Sequence, residues 1–72
     1  MSKILVEFGR RVKRLRGHMG ISQEQFAFKC HLHRTYISDI ERGVRNVSLE
    51  NLEKIARSFD MSVSKLLDFK EV

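Results

Sequence analysis

Residues 20–43 read GISQEQFAFKCHLHRTYISDIERG, and they contain two short helical segments on either side of a tight turn. Ser22, with Gln25 three residues later, has the spacing of a capping box at the start of a helix. The four residues 30–33 are predicted to form the turn. The small side chain of Ala27 lets the two helices approach closely at the bend. We therefore expect two helices that cross at a steep angle.

The second helix of this pair is predicted from about residue 34 to residue 42, and it stops at Gly43. Ile37 and Ile40 mark its inner face. Its outer face carries hydrogen-bonding and basic side chains, which are Arg34, Thr35, Ser38 and Arg42, with Tyr36 and Asp39 at the margins. An α-helix fits the major groove of DNA with its first turns nearest the base edges. This helix is therefore the candidate for contact with DNA.

The rest of the chain shows helical periodicity on both sides of this pair. A first helix, from about residue 3 to 18, has an apolar face of Leu5, Phe8, Val12 and Leu15 and ends at Gly20. Ser48 caps a fourth helix, whose predicted buried residues are Leu49, Leu52, Ile55, Ala56 and Phe59. Ser62 caps a short fifth helix, which carries Val63, Leu66, Leu67 and Phe69. No stretch alternates with period two, so we predict an all-α, compact five-helix domain formed by residues 1–72.

The size of the chain limits its stability. It has 72 residues, 42% hydrophobic and 32% charged, and its single cysteine, Cys30, cannot form an internal disulfide. Such a small core suggests completion by a second copy of the chain. No run of about 18 apolar residues could span a membrane, and the first residues lack the features of a signal peptide. We therefore expect a cytoplasmic protein.

The charge is distributed unevenly along the chain. Residues 1–45 contain ten Lys and Arg against four Asp and Glu, a net charge of +6, whereas residues 46–72 contain four against five, a net charge of −1. A basic segment followed by a nearly neutral one suggests that the first meets a polyanion and the second meets protein.

Residues 8–69 resemble the lambda-repressor/Cro-like helix-turn-helix family. The resemblance lies in Arg16, Gly20, Ser22-Gln23, Ala27, Ile37-Ser38 and Ile40-Glu41-x-Gly43. Within that family, the segment HRTYISDIERGVRNVSLENLEKIA, residues 33–56, is most similar to the controller proteins of restriction–modification systems. Those proteins are small dimers that switch on the endonuclease gene and limit their own synthesis.

The resemblance implies roles for individual residues. The implied DNA-binding set, together with the outer face described above, is Gln23, Arg34, Thr35, Tyr36, Ser38, Asp39, Arg42, Arg45 and Asn46. In that scheme Gln23 holds a phosphate, Arg34 reads a guanine, and Arg45 clasps the DNA backbone or groove edge. Arg16 and Glu41 correspond to a family ion pair between the first and third helices.

Three residues depart from the family pattern. His31 occupies a position where glycine or asparagine is usual, which implies a left-handed backbone. His33 stands at the usual cap of the DNA-reading helix, where Asp, Ser or Asn is typical. Asp39 places a negative charge on the DNA-facing side, where it either accepts from a cytosine or weakens non-specific binding.

The function implied is that of a transcription regulator that binds a pseudo-palindromic operator as a homodimer. Its partners would be double-stranded DNA, a second copy and, for an activator, RNA polymerase; no small-molecule ligand or cofactor is expected. The candidate dimer interface is Val63, Leu66, Leu67 and Phe69, of which Leu66 and Phe69 are expected to serve as core as well. The alternatives are a phage-type repressor, a small chromosomal regulator, or, in another class, an antitoxin or protein-binding module.

Two further patterns have ordinary explanations. Cys30, His31 and His33 are metal-ligating types, but the sequence lacks a second ligand group to complete a zinc site, and it lacks the motifs of an enzyme. We therefore expect neither a metal site nor catalysis, and we expect Cys30 to face the core. The basic run at residues 10–14 is typical of a solvated helix face, part of which could also steer phosphate.

Overall fold

The computed structural model describes residues 2–70, and all of its regular structure is helical. The five helices are α1 Lys3–Met19, α2 Gln23–Cys30, α3 Arg34–Glu41, α4 Leu49–Ser58 and α5 Val63–Leu66. The prediction of an all-α, five-helix fold is therefore confirmed. Within these residues, no helix has the length and apolar character needed to cross a membrane.

The helix boundaries follow from local hydrogen bonding. Gly20 ends α1 with a left-handed backbone, φ 68°. Ser22 and Gln25 form the predicted capping box at the start of α2. Ser48 and Ser62 each accept a hydrogen bond from the backbone N–H three residues later, at the starts of α4 and α5. Such caps satisfy N–H groups that have no partner inside the helix.

The turn between α2 and α3 contains residues 31–33, one fewer than predicted, because Cys30 is the last residue of α2. His31 has the expected left-handed backbone, with φ 60° and ψ 40°. His33 occupies the N-cap position of α3, but its side chain makes no capping hydrogen bond within the described chain. The geometry of the turn is therefore set by the backbone and by Leu32, whose N–H donates to the Ala27 carbonyl.

A single apolar core joins the five helices. Its buried residues are Phe8, Val12, Phe26, Ala27, Cys30, Ile37, Ile40, Ile55, Ala56 and Leu66. The rings of Phe26 and Phe59 stack with their centroids 4.5 Å apart, which ties α2 to the end of α4. The backbones of α1 and α3 approach closely at Gly9, where a β-carbon would overlap the carbonyl oxygen of Ile40.

Two expectations about burial were wrong. Leu49 shares a helical face with the buried residues of α4, yet it is 80% exposed because it lies in the first turn, where the described chain does not cover it. Arg11, expected on a solvated face, is only 2% exposed. Its Nε donates to the Leu66 carbonyl at 3.2 Å and its Nη2 to the Lys65 carbonyl at 2.8 Å, so it binds the end of α5.

The fifth helix is shorter than its apolar pattern suggested. It has four residues, so Leu67 is its C-cap and Phe69 lies beyond it. Leu66 is completely buried, at 0% exposure, and therefore offers no surface to a second copy. Of the four residues expected at a dimer interface, Leu66 belongs to the core of the single chain.

Candidate nucleic-acid interface

The outer face of α3 is the candidate surface for contact with DNA. Ile37 and Ile40 are buried beneath it. Arg34 and Thr35, at the start of the helix, are exposed, and Ser38 one turn later is half-buried. The helix therefore projects hydrogen-bond donors and a guanidinium from its first turn, as contact with base edges requires.

Asp39 is paired with a basic residue on the same helix. Arg42 Nη2 donates to Asp39 Oδ1 at 2.8 Å, and the two side chains are 66% and 24% exposed. Such an exposed pair contributes little to stability. The pair matters for electrostatics instead. The positive charge of Arg42 offsets the negative charge of Asp39, which would otherwise repel an approaching phosphate.

Glu41 joins the first three helices beside this face. Arg16 Nε donates to Glu41 Oε2 at 2.7 Å and Arg16 Nη2 to Oε1 at 2.9 Å, a bidentate pair. Arg16 Nη1 also donates to the Ile21 carbonyl at 2.8 Å. The hydrogen bond with Glu41 raises the pKa of Arg16 above its ordinary value. The cluster fixes the end of α3 against α1.

Gln23 belongs to the same cluster. Its Nε2 donates to Glu41 Oε1 at 3.0 Å. The amide nitrogen carries two protons, and Glu41 uses one of them. The other proton and the N–H groups of the first turn of α2 are the donors that an anion at this helix end would meet. Glu41 thus orients the residue expected to hold phosphate.

Tyr36 is held by two residues from outside α3. Asn51 Nδ2, in α4, donates to the Tyr36 hydroxyl at 3.0 Å. The guanidinium carbon of Arg45 lies 4.6 Å from the centre of the Tyr36 ring, within cation–π distance. Sequence reasoning missed Asn51, because the contact joins residues 15 positions apart and no local pattern signals it.

The loop after α3 contains two residues expected to contact DNA, Arg45 and Asn46, and the structure places them on different surfaces. Arg45 lines a shallow groove of about 490 Å³ on the α3 side, together with Thr35, Tyr36, Asp39 and Asn51. Asn46 instead borders a different, apolar cleft of about 160 Å³. The structure therefore brings Arg45 to the α3 surface, whereas Asn46 lies at the apolar cleft.

That apolar cleft also contains one of the expected interface residues. Its lining includes Ile4, Leu5, Val47, Leu52 and Leu67. Ile4 is 61% exposed and Leu67 37% exposed. Val63 and Phe69, the other expected interface residues, are half-buried against the core. The exposed apolar surface near the C-terminal segment is thus shared with the start of α1.

The side chains that resembled metal ligands do not converge. Cys30 is buried at 1% exposure, whereas His31 and His33 are exposed. Burial raises the pKa of the Cys30 thiol. Within residues 2–70, no group of three His, Cys, Asp or Glu side chains is placed to hold a metal ion. Cys30 acts here as a small apolar residue of the core.

The fold and this surface define a class of protein. Two short helices cross at a tight turn, and the second exposes a donor-rich face flanked by a basic loop. This is a helix-turn-helix of the kind that places its second helix in the major groove.

Comparison with known proteins narrows the class. A helix-turn-helix family model matches residues 12–66. The control protein C.BamHI of Bacillus amyloliquefaciens is 50% identical over 72 residues, covering 99% of this chain and 89% of that protein. The crystal structure of the restriction-modification controller protein C.AhdI from Aeromonas hydrophila matches with TM-score 0.82 and 47% identity, over 86% of this chain and 94% of that one.

A third similar protein was solved with DNA. The restriction-modification controller protein C.Esp1396I, as a tetramer in complex with its natural 35 base-pair operator, matches with TM-score 0.79 and 34% identity, over 93% of this chain and 97% of that one. The present chain belongs to the helix-turn-helix family, and within it to the restriction–modification controller proteins. It is therefore a helix-turn-helix transcription regulator.

Proposed function

We propose that this protein controls a restriction–modification system by binding a pseudo-palindromic operator as a homodimer. The observation that carries the proposal is the outer face of α3, where Arg34 and Thr35 are exposed at the start of a helix whose inner face is buried. A guanidinium at this position can bind the O6 and N7 atoms of guanine in a bidentate manner. Sequence discrimination is assigned to this first turn.

Phosphate contacts are assigned to the two edges of the α3 surface. The start of α2, with Gln23, forms one edge, and the exposed side chain of Arg42 lies at the other. Arg45 is assigned to the edge of the groove beside Tyr36, and Asn46 is assigned a backbone contact from the loop next to the apolar cleft. Contacts of this kind fix the register of a protein on the duplex without reading its sequence. They also make binding sensitive to salt, because each neutralised phosphate releases counterions.

The dimensions of the chain favour a dimer on DNA. Its longest extent is 26 Å, which is shorter than the ~34 Å between successive major-groove faces of B-DNA. One copy therefore reads one half-site. A two-fold pair with both α3 helices on the same side reads two half-sites one turn apart.

The apolar cleft that contains Ile4 and Leu67 is the surface assigned to the second copy. The side chains of the described chain that line it carry no charge. Two copies can therefore meet there without strong repulsion between like charges. Association of two copies there removes the exposed apolar side chains from water, which favours the dimer.

The regulatory role follows from the similarity to control proteins such as C.BamHI. The protein activates transcription of the endonuclease gene and limits its own synthesis as its concentration rises. Concentration acts through dimer formation and the filling of neighbouring operator sites. An assembly of four copies on one operator has a precedent in the C.Esp1396I tetramer bound to its 35 base-pair operator.

Selection of bound sites from random duplex DNA tests the proposal. The expected result is a pseudo-palindrome whose half-site centres are about 10 base pairs apart. Reporter transcription from promoters that carry this site should rise at low protein concentration and fall at high concentration. Recovery of no preferred sequence, or of a single asymmetric half-site, would contradict the proposal.

A further inference from the structure

The contacts of Tyr36 connect three elements at the edge of the α3 surface. Its hydroxyl accepts a hydrogen bond from Asn51 Nδ2 of α4 at 3.0 Å. The face of its ring supports the guanidinium of Arg45, 4.6 Å from the ring centre, in the loop between α3 and α4. Tyr36 and Asn51 are half-buried, and Arg45 is exposed.

Asn51 is itself rigidly placed. Its backbone N–H donates to Ser48 Oγ at 3.1 Å, so it lies in the capped first turn of α4. The same helix is anchored in the core by Ile55 and Ala56. The side-chain amide of Asn51 therefore reaches Tyr36 from a fixed base and can restrict the rotation of the tyrosine ring.

We infer that Asn51 is a positioning residue for DNA recognition, which fixes Tyr36 and, through the Tyr36 ring, the side chain of Arg45. The inference rests on the proposed function. An exposed arginine on a loop loses rotamer freedom when it binds, and holding it in place beforehand lowers that cost. The base preference at the groove edge thus depends on a residue of α4 that lies behind the recognition surface.

The polarity of the hydrogen bond defines what Tyr36 presents to DNA. The Asn51 N–H group occupies an acceptor site on the phenolic oxygen. The phenolic proton is therefore directed elsewhere, toward a hydrogen-bond acceptor on the DNA. Removing the tyrosine hydroxyl should then cost at least as much affinity as removing Asn51, because it eliminates both hydrogen bonds.

A double-mutant cycle on the full chain tests the inference, with equilibrium binding to the selected operator and to random duplex DNA. The variants are Asn51→Ala, Tyr36→Phe and the two combined, and Glu50→Gln in the same helical turn is the control. Asn51→Ala should weaken operator binding by about 2- to 10-fold per half-site, the loss expected for one hydrogen bond. It should also change the base preference at one position in each half-site. In the Tyr36→Phe background, Asn51→Ala should have no further effect.

The outcomes of this cycle separate failure of the inference from failure of the proposed function. Equal weakening by Asn51→Ala on operator and random DNA, or full additivity with Tyr36→Phe, would overturn the inference. If Asn51→Ala unfolds the protein, Tyr36→Phe alone must reproduce the change in base preference, and its failure to do so would also overturn it. A wild-type protein that prefers no DNA sequence would overturn the proposed function instead.

Discussion

At the residue scale, the proposed recognition of DNA rests on the first turn of α3. Arg34 is exposed there, and a bidentate contact with guanine discriminates against other bases by about 1–3 kcal/mol. We predict that Arg34→Ala loses this discrimination energy at one position of each half-site, so that the base preference there is relaxed. Binding of the variant to a set of operators substituted at single positions measures the effect.

The same titrations on random DNA provide the control. Arg42→Ala, at the other end of the helix, removes a charge but no base contact, so it should weaken binding to all sequences by a similar factor. It should also reduce the slope of log affinity against log salt by about one unit. If Arg34→Ala behaved in the same way on operator and random DNA, Arg34 would not be a reader of bases.

At the scale of the elements, the placement of α3 depends on how closely α1 approaches it. A β-carbon at Gly9 would overlap the Ile40 carbonyl oxygen and lie 3.0 Å from that of Glu41. Both atoms belong to the backbone of α3 and cannot rotate away. We predict that Gly9→Ala lowers the free energy of unfolding by at least the ~1–3 kcal/mol typical of overpacking. Urea denaturation measures the change.

Gly17 provides the matched control on the same helix. A β-carbon at this position has open space, with no atom within 4 Å. Gly17→Ala should therefore raise the stability by about 0.5–1 kcal/mol, since alanine loses less backbone entropy in a helix. Opposite signs for the two substitutions are expected, and a neutral Gly9→Ala would show that α1 and α3 are not in close contact.

The ion pair between α1 and α3 is the second determinant at this scale. The Glu41 side chain is 3% exposed and that of Arg16 is 16% exposed. Glu41→Ala leaves Arg16 without its carboxylate partner, and we predict a loss smaller than the ~3–5 kcal/mol for a fully buried pair. A double-mutant cycle with Arg16→Ala, followed by thermal unfolding, measures the coupling.

The exposed pair of Arg57 and Glu53 serves as the comparison. Its atoms are 3.8 Å apart, and the side chains are 78% and 63% exposed. Glu53→Ala should cost less than about 1 kcal/mol. If the coupling of Arg16 with Glu41 were no larger than that of this surface pair, the cluster would not hold α3 in place.

At the scale of the whole molecule, a dimer surface can be assigned only to apolar residues that the core of the single chain leaves exposed. Leu66 is fully buried, whereas its neighbour Leu67 is 37% exposed beside the cleft. We predict that Leu67→Asp produces a folded monomer with greatly weakened operator binding. Analytical ultracentrifugation gives the oligomeric state, and circular dichroism reports whether the fold is retained.

Two further substitutions serve as controls for this prediction. Phe28→Asp replaces an 85% exposed aromatic residue on α2, away from the cleft, and should leave the oligomeric state unchanged. Leu66→Ala truncates a core side chain and should lower the stability by about 2–5 kcal/mol. A wild-type protein that sediments as a monomer at high micromolar concentration, yet retains full operator affinity, would contradict the dimer.

The sequence by itself determined the helices and the outer face of α3. Capping residues such as Ser22 and the apolar spacing along each helix act over three or four residues. Local pattern is therefore sufficient to predict them. The burial of Arg11 could also have been predicted, because this residue stands three positions after Phe8 on the buried face of α1. Its charge instead led to the expectation that it would be exposed to solvent.

Only the tertiary structure decided which of these residues meet. Asn51 contacts Tyr36, and Arg11 caps the carbonyls of α5, because helices distant in sequence pack side by side. The different burial of Leu49, Leu66 and Leu67 likewise depends on what lies over each side chain. Periodicity indicates which face of a helix is apolar, but only packing between elements fixes how much of that face is covered.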